Sequence, residues 1–298
     1  MALATQMRVA SFYASAEGLT YLRIATEGSS YGNDQATINA LMEALPAVPH
    51  VAQVATTFAV SADIGEQMAK ASTSIPWFSF ALEDLPTPEG FVVFEENVVI
   101  SDGMDKPIAV KAFAWAPCAW KSPSRSAASN GVLFMLYTDP LDPRDSLHGM
   151  TVDPEKWKRR IGDLPIFMWG GAVSFGEHEE VVPNCLARLF MTFLRFIQEP
   201  WIEAVEESPG RQLARQSQRR GGSSTVKVVR LRKREVDRSK SDHHAPVEWS
   251  HQWVVEGHWR NQWYPSQGRH APRWVRRHIK GPEDKPLVVK PKVFQVDR

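Results

Sequence analysis

The 298-residue sequence predicts an α+β protein, a mainly antiparallel sheet flanked by helices with a basic, β-rich C-terminal part. Three observations carry this expectation. Apolar residues keep helical spacing in residues 1–72 and again in 184–207. Between them, residues 76–175 break into short β-rich runs separated by Pro, Gly and Asp. The charge then divides: residues 211–298 hold 21 of the 35 Lys and Arg against 8 of the 34 Asp and Glu, a balance of +13. Residues 1–210 hold 14 basic and 26 acidic residues, a balance of −12, so the overall +1 conceals two unlike parts.

The helical segments come first. Leu19, Leu22, Ile24 and Ala25 keep loose helical spacing up to Gly28. Asn33 and Asp34 can cap a helix carrying Ile38, Leu41, Met42 and Leu45, stopped by Pro46. Val54, Phe58 and Ala62 extend a helical period over residues 51–71. Strands are then expected at 77–81, 90–94, 97–101, 107–116, 132–138 and 166–175, with a tight connection at Glu95-Glu96-Asn97. Gly170-Gly171 marks a bulge in the last of these. A loop with a short helix near Lys156 precedes it. Residues 184–205 form the most apolar helix, with Leu186, Leu189, Phe190, Phe193, Leu194 and Ile197 covering a broad face. Composition marks 208–224 as a linker, so the expected organisation is an acidic domain at 1–207 and a basic, Trp-rich domain at 225–298. Four strands are expected in the latter, at 226–234, 252–264, 273–279 and 287–296.

The segment QWVVEGHWRNQWY at 252–264 is the richest in chemistry. As a strand it sends Trp253, Val255, Gly257, Trp259 and Trp263 to one face and Glu256, His258, Arg260 and Gln262 to the other. The next strand adds Arg273, Trp274, Arg276, Arg277, His278 and Lys280. Two nucleic-acid readings compete. In one the Trp face packs inward and the Arg face meets phosphates, with strong salt dependence. In the other, exposed indoles stack on unpaired bases for about 1–3 kcal/mol each. Pairing of Arg260 and Arg276 with Glu256 and Glu248 on a sheet surface competes with both. The candidate nucleic-acid or partner-binding set is His258, Trp259, Arg260, Trp263, Arg273, Trp274, Arg276, Arg277 and Lys280.

These residues also carry a resemblance. The GHWR run at 257–260, Trp263, and RWVRRHIKG at 273–281 resemble the C-terminal signature of the type V-A anti-CRISPR family of phages and mobile elements, which blocks production of the Cas12-class nuclease. The apolar helix running into Gln198-Glu199-Pro200 is similar to that family's long helix, and Leu85-Pro86 before residues 91–94 has a counterpart. The resemblance implies a binding protein that recognises the N-terminal stretch of a target emerging from the ribosome, with loss of the message being translated. It also implies RNA or the ribosome as partner of the basic part. Much of the first 200 residues departs from the family, so the target peptide is not carried over.

Common enzyme classes find no support. There is no GxxxxGK[ST], strand-linked GxGxxG, HExxH or GxSxG, and no cofactor is expected. Glu177-His178-Glu179-Glu180 and His243-His244 lack diagnostic metal spacing, and the loop residues Asp102, Asp105, Asp139, Asp142 and Asp145 match no calcium loop. Cys118 and Cys185 fit a reducing compartment. With no secretory leader and no apolar run of spanning length, the expected location is the cytoplasm, away from membranes. A nuclease using His258 and Glu256 is the rival reading from another class. A virion or scaffold protein with a DNA-contacting tail is a third.

Overall fold

The alternation Ala112-Phe113-Ala114-Trp115-Ala116 sets the layering of this molecule, because it puts small and large side chains on opposite faces of one strand. A computed structural model describes residues 1–19, 47–76, 78–101, 106–121, 128–145, 153–175, 185–232, 250–255, 257–265 and 269–288. The chain divides into two units, Met1–Arg232 and Lys233–Arg298.

In chain order the first unit contains α1 (Ala2–Tyr13), α2 (Ala47–Val54), β1 (Thr56–Val60), α3 (Ala62–Ser72), β2 (Gly90–Ser101), β3 (Pro107–Lys121) and β4 (Ala128–Thr138). It continues through α4 (Pro154–Arg160), β5 (Ile166–Ser174), α5 (Cys185–Phe196), β6 (Ile202–Glu207), α6 (Arg211–Arg219) and β7 (Val226–Leu231). The described strands form one sheet in the order β5-β4-β3-β2-β1-β7-β6. β1 runs parallel to both β2 and β7, and every other neighbouring pair is antiparallel. The sheet is therefore mixed but mainly antiparallel, and the fold class is α+β, as the sequence predicts.

Helices cover both faces. On one, Ala112, Ala114 and Ala116 are small enough for α1 and α2 to approach closely, and Leu3, Met7, Tyr13, Val51 and Ala52 pack there with Phe91, Val93, Met135 and Tyr137. Gln6 is buried in this layer. Its amide donates to Ala55 O at 2.8 Å, and Thr57 Oγ1 donates to its Oε1. The other face is aromatic: the Trp115 ring lies 5.5 Å from that of Phe193, 5.6 Å from Phe58 and 5.7 Å from Phe190, bringing α5 onto the sheet. Trp115 Nε1 donates to Thr87 O at 3.0 Å, which satisfies its one polar atom. The indole lies across Gly90, its partner in register, where an added Cβ would come within 2.0 Å of the ring.

Several expectations are corrected. The helical period over 51–71 spans three elements, because Thr56–Val60 is the strand β1. Its β-branched and aromatic residues are held by parallel partners on both sides, which local periodicity does not register. Residues 90–94 and 97–101 form the single strand β2, and Glu95-Glu96-Asn97 falls where the register shifts between Val93 and Val98, not at a hairpin turn. Residues 78–81 are not a strand. The irregularity of β5 falls at Met168, since Leu136 pairs with Trp169 and Tyr137 with Phe167, while Gly170-Gly171 keep regular partners. The apolar helix ends at Phe196, and Val205 belongs to β6. Within 208–224 lies α6, and β7 joins the first sheet between β1 and β6 instead of the basic unit. Residues 20–46 and 289–298, which contain nearly all of two expected helical stretches and most of an expected strand, lie outside the described residues. The short helix near Lys156 is α4, capped by Asp153 Oδ1, which accepts from the N–H groups of Glu155 and Lys156 at 3.0 and 3.1 Å.

The Asp-rich loop after β4 is structural. Asn97 Nδ2 donates to Asp139 and Asp142 at 2.8 Å each, and Ala109 N–H donates to Asp145 at 3.0 Å. The Arg144 guanidinium grips the buried Asp142 through both carboxylate oxygens, at 2.9 and 2.6 Å. That grip, helped by Asn97, holds the Asp142 carboxyl well below the usual carboxylate range. In the folded chain it stays ionised where the unfolded chain has already taken up a proton. Its contribution is therefore complete above about pH 4 and is lost as pH falls below that value. In acid titrations of melting temperature, Asp142→Asn is expected to start lower than the parent at neutral pH and to lose less on acidification, so that the gap narrows.

Candidate functional site

The second unit is built on one β-ribbon. β8 (Trp253–Val255) pairs with β11 (His278–Lys280), and β9 (His258–Tyr264) pairs with β10 (Arg269–Val275), both antiparallel. The register carries through unchanged from Lys280↔Trp253 to Arg269↔Tyr264. The strand expected over 252–264 is thus interrupted near Gly257, and the ribbon turns between Tyr264 and Arg269. At its base Gln252 N–H donates to Pro286 O at 2.8 Å and Val288 N–H to Gln252 O at 2.9 Å, adding a short parallel contact.

Register fixes what each face carries, because partners in an antiparallel ladder point the same way. Trp259 lies opposite Trp274, with ring centroids 5.3 Å apart and planes at 70°, an edge-to-face pair. Trp259 is 6% exposed, so it is core and no base can stack on it. Gly257 is part of the same packing: an added Cβ would lie 2.6 Å from the Trp274 ring. Trp263, nearer the turn, is 44% exposed. On the opposite face Arg260 lies directly across from Arg273, and both are exposed.

Arg276, Arg277, His278 and Lys280 are exposed as well. Among the described residues no carboxylate forms an ion pair with Arg260, Arg273, Arg276 or Lys280. Glu248 and Glu256, the expected pairing partners, lie outside the described residues. His258 is half-buried, and its ring lies 6.5 Å from that of His278, whose Nδ1 is 2.9 Å from Arg276 O. An Nδ1–H donor there leaves Nε2 of His278 as the acceptor. The proximity of these two imidazoles was not legible from spacing alone, since it depends on where the ribbon turns.

The first unit holds an open cleft of about 440 Å³ lined by Leu82, Pro117, Cys118, Asn130, Gly131 and Phe175. Burial pushes the Cys118 thiol up to about 11, against a smaller opposing effect of a backbone hydrogen bond involving Leu133. It therefore stays protonated near neutral pH and is a poor nucleophile. Among the described residues no three His, Cys, Asp or Glu side chains gather as a metal-binding group, and no helix is long and apolar enough to cross a membrane. Glu177-His178-Glu179-Glu180 and His243-His244 lie outside the described residues.

Fold and site together define an α+β protein whose C-terminal unit presents a β-ribbon with the Trp259–Trp274 pair on one face and Arg260 across from Arg273 on the other. No family model and no curated protein matches this chain. Among solved structures, it is similar to the crystal structure of AcrVA2, with a TM-score of 0.37 and 14% identity over 86% of this chain and 82% of that one.

Proposed function

We propose that this chain is a phage or mobile-element binding protein of the anti-CRISPR kind. It engages a nascent or N-terminal peptide of a target protein and meets RNA or the ribosome through the exposed basic residues of its C-terminal ribbon. The peptide part rests on the resemblance carried by residues 257–260, Trp263 and 273–281, and the cleft beside Cys118 is the candidate seat for an apolar side chain. The RNA part rests on one observation: Arg260, Arg273, Arg276 and Lys280 stand exposed without a carboxylate among the described residues, while Trp259 and Trp274 pack together. Of the two nucleic-acid readings, this arrangement favours phosphates on the Arg face. Incubating the full chain with labelled RNA, with and without divalent metal, tests the proposal. Binding with the RNA left intact is expected. Cleavage lost in His258→Ala would replace it with the nuclease reading, for which the two neighbouring imidazoles are the specific support.

A further inference from the structure

We infer that Arg260 and Arg273 form a cross-strand clamp for a phosphodiester of the RNA backbone, an inference that rests on the RNA-contacting reading above. The two residues are direct partners in the β9–β10 register, so their Cβ atoms stand about 4.5–5.5 Å apart on one face. Both are exposed, and neither has an ion-pair partner among the described residues. Like charges directly opposite one another destabilise a two-stranded ribbon. Such a pair is therefore a cost in the free protein that an anion held between the two guanidinium groups relieves. A phosphodiester fits because each planar fork can grip a phosphate oxygen through two N–H donors, which a lysine cannot do.

The other face decides what the clamp reads. Trp259 is sealed against Trp274, and Gly257 leaves room for that ring, so the ribbon core offers no stacking platform beside the clamp. The clamp consequently holds backbone and not base, and its affinity is nearly independent of sequence.

This geometry makes stability and binding move in opposite directions. In Arg273→Glu the new carboxylate faces Arg260 across the ladder, converting repulsion into a cross-strand ion pair. The full-length variant is expected to melt at or above the temperature of the parent, yet to bind polyuridine and polyadenine oligonucleotides at least tenfold more weakly. Arg273→Gln is expected to give a smaller loss and a log–log salt slope shallower by up to about 0.7, the share of the one phosphate that the two arginines hold on a single strand. The parent should bind the two homopolymers within about threefold of each other. RNA binding by the parent that is unchanged in affinity and slope in both variants overturns the clamp and leaves the RNA-contacting reading standing. Absence of RNA binding by the parent overturns both. Loss of polyglutamate binding in the variants with RNA binding retained would reassign the pair to an acidic protein partner and overturn the clamp.

Discussion

Trp115→Ala is expected to destabilise the first unit by about 3–5 kcal/mol, the range for removing a large aromatic from a close-packed core. Trp115 is fully buried and touches the aromatic rings of β1, β3 and α5 at once, since Phe58, Phe113, Phe190 and Phe193 all surround it. Truncation leaves a cavity that none of these rings can fill without moving a secondary-structure element. It also orphans Thr87 O, the acceptor of the indole N–H. Chemical denaturation followed by circular dichroism measures the loss. A change below about 1 kcal/mol would mean that this aromatic layer is not the core of the unit. Gly90→Val should act in the same direction, because its side chain would occupy the space of the Trp115 indole.

The second large effect separates two tryptophans that look alike in the sequence. Trp259→Ala removes a buried ring that packs edge-to-face on Trp274, and about 3 kcal/mol of destabilisation is expected. Trp263→Ala removes a ring that is 44% exposed, and the melting temperature should stay close to that of the parent. If RNA reaches the end of the ribbon, Trp263→Ala weakens binding by about 1–3 kcal/mol per stacked base, with folding intact. Melting curves and RNA titrations on the same preparations distinguish the roles. Equal melting temperatures for the two variants would contradict the assignment of Trp259 to the core.

How much of this was legible depends on where each element gets its stability. The strands β2, β3 and β4 were legible because alternation such as Ala112 to Ala116 is a local signal that the pleat imposes directly. The helix α5 was legible because Leu189, Phe190, Phe193 and Leu194 need cover on a broad face. The strand β1 was not, since Val54, Phe58 and Ala62 imitate a helical period and only the parallel partners β2 and β7 select the extended form. β7 was misplaced for a related reason: its basic residues Lys227 and Arg230 share the composition of residues 232–298, but Arg230 is 2.8 Å from Glu203 of β6. Net charge identifies a partner only after such local pairs are discounted.

The ribbon gives the same lesson in reverse. Alternation along 252–264 correctly separated Trp259 from Arg260, because facing depends only on parity. The expected strand ended correctly at Tyr264, before Pro265, but its partner was expected from 273 and begins at Arg269, and the pairing of Trp274 and Arg273 follows only from that register. The pairing of two arginines, which carries the clamp, becomes visible only once the register is known.

The measurement that bears most directly on the exposed cations of the ribbon is the salt dependence of RNA affinity for the full chain and for a variant with Arg260, Arg273, Arg276 and Lys280 changed to Gln. With Arg260 and Arg273 sharing one phosphodiester, three phosphate contacts on a single strand imply a log–log slope of about −2, so the affinity of the parent should fall roughly 20-fold between about 50 and 200 mM salt. The variant should bind weakly at both salts with a nearly flat response. A parent whose affinity is indifferent to salt, or a variant that keeps the parent's slope, would contradict the account.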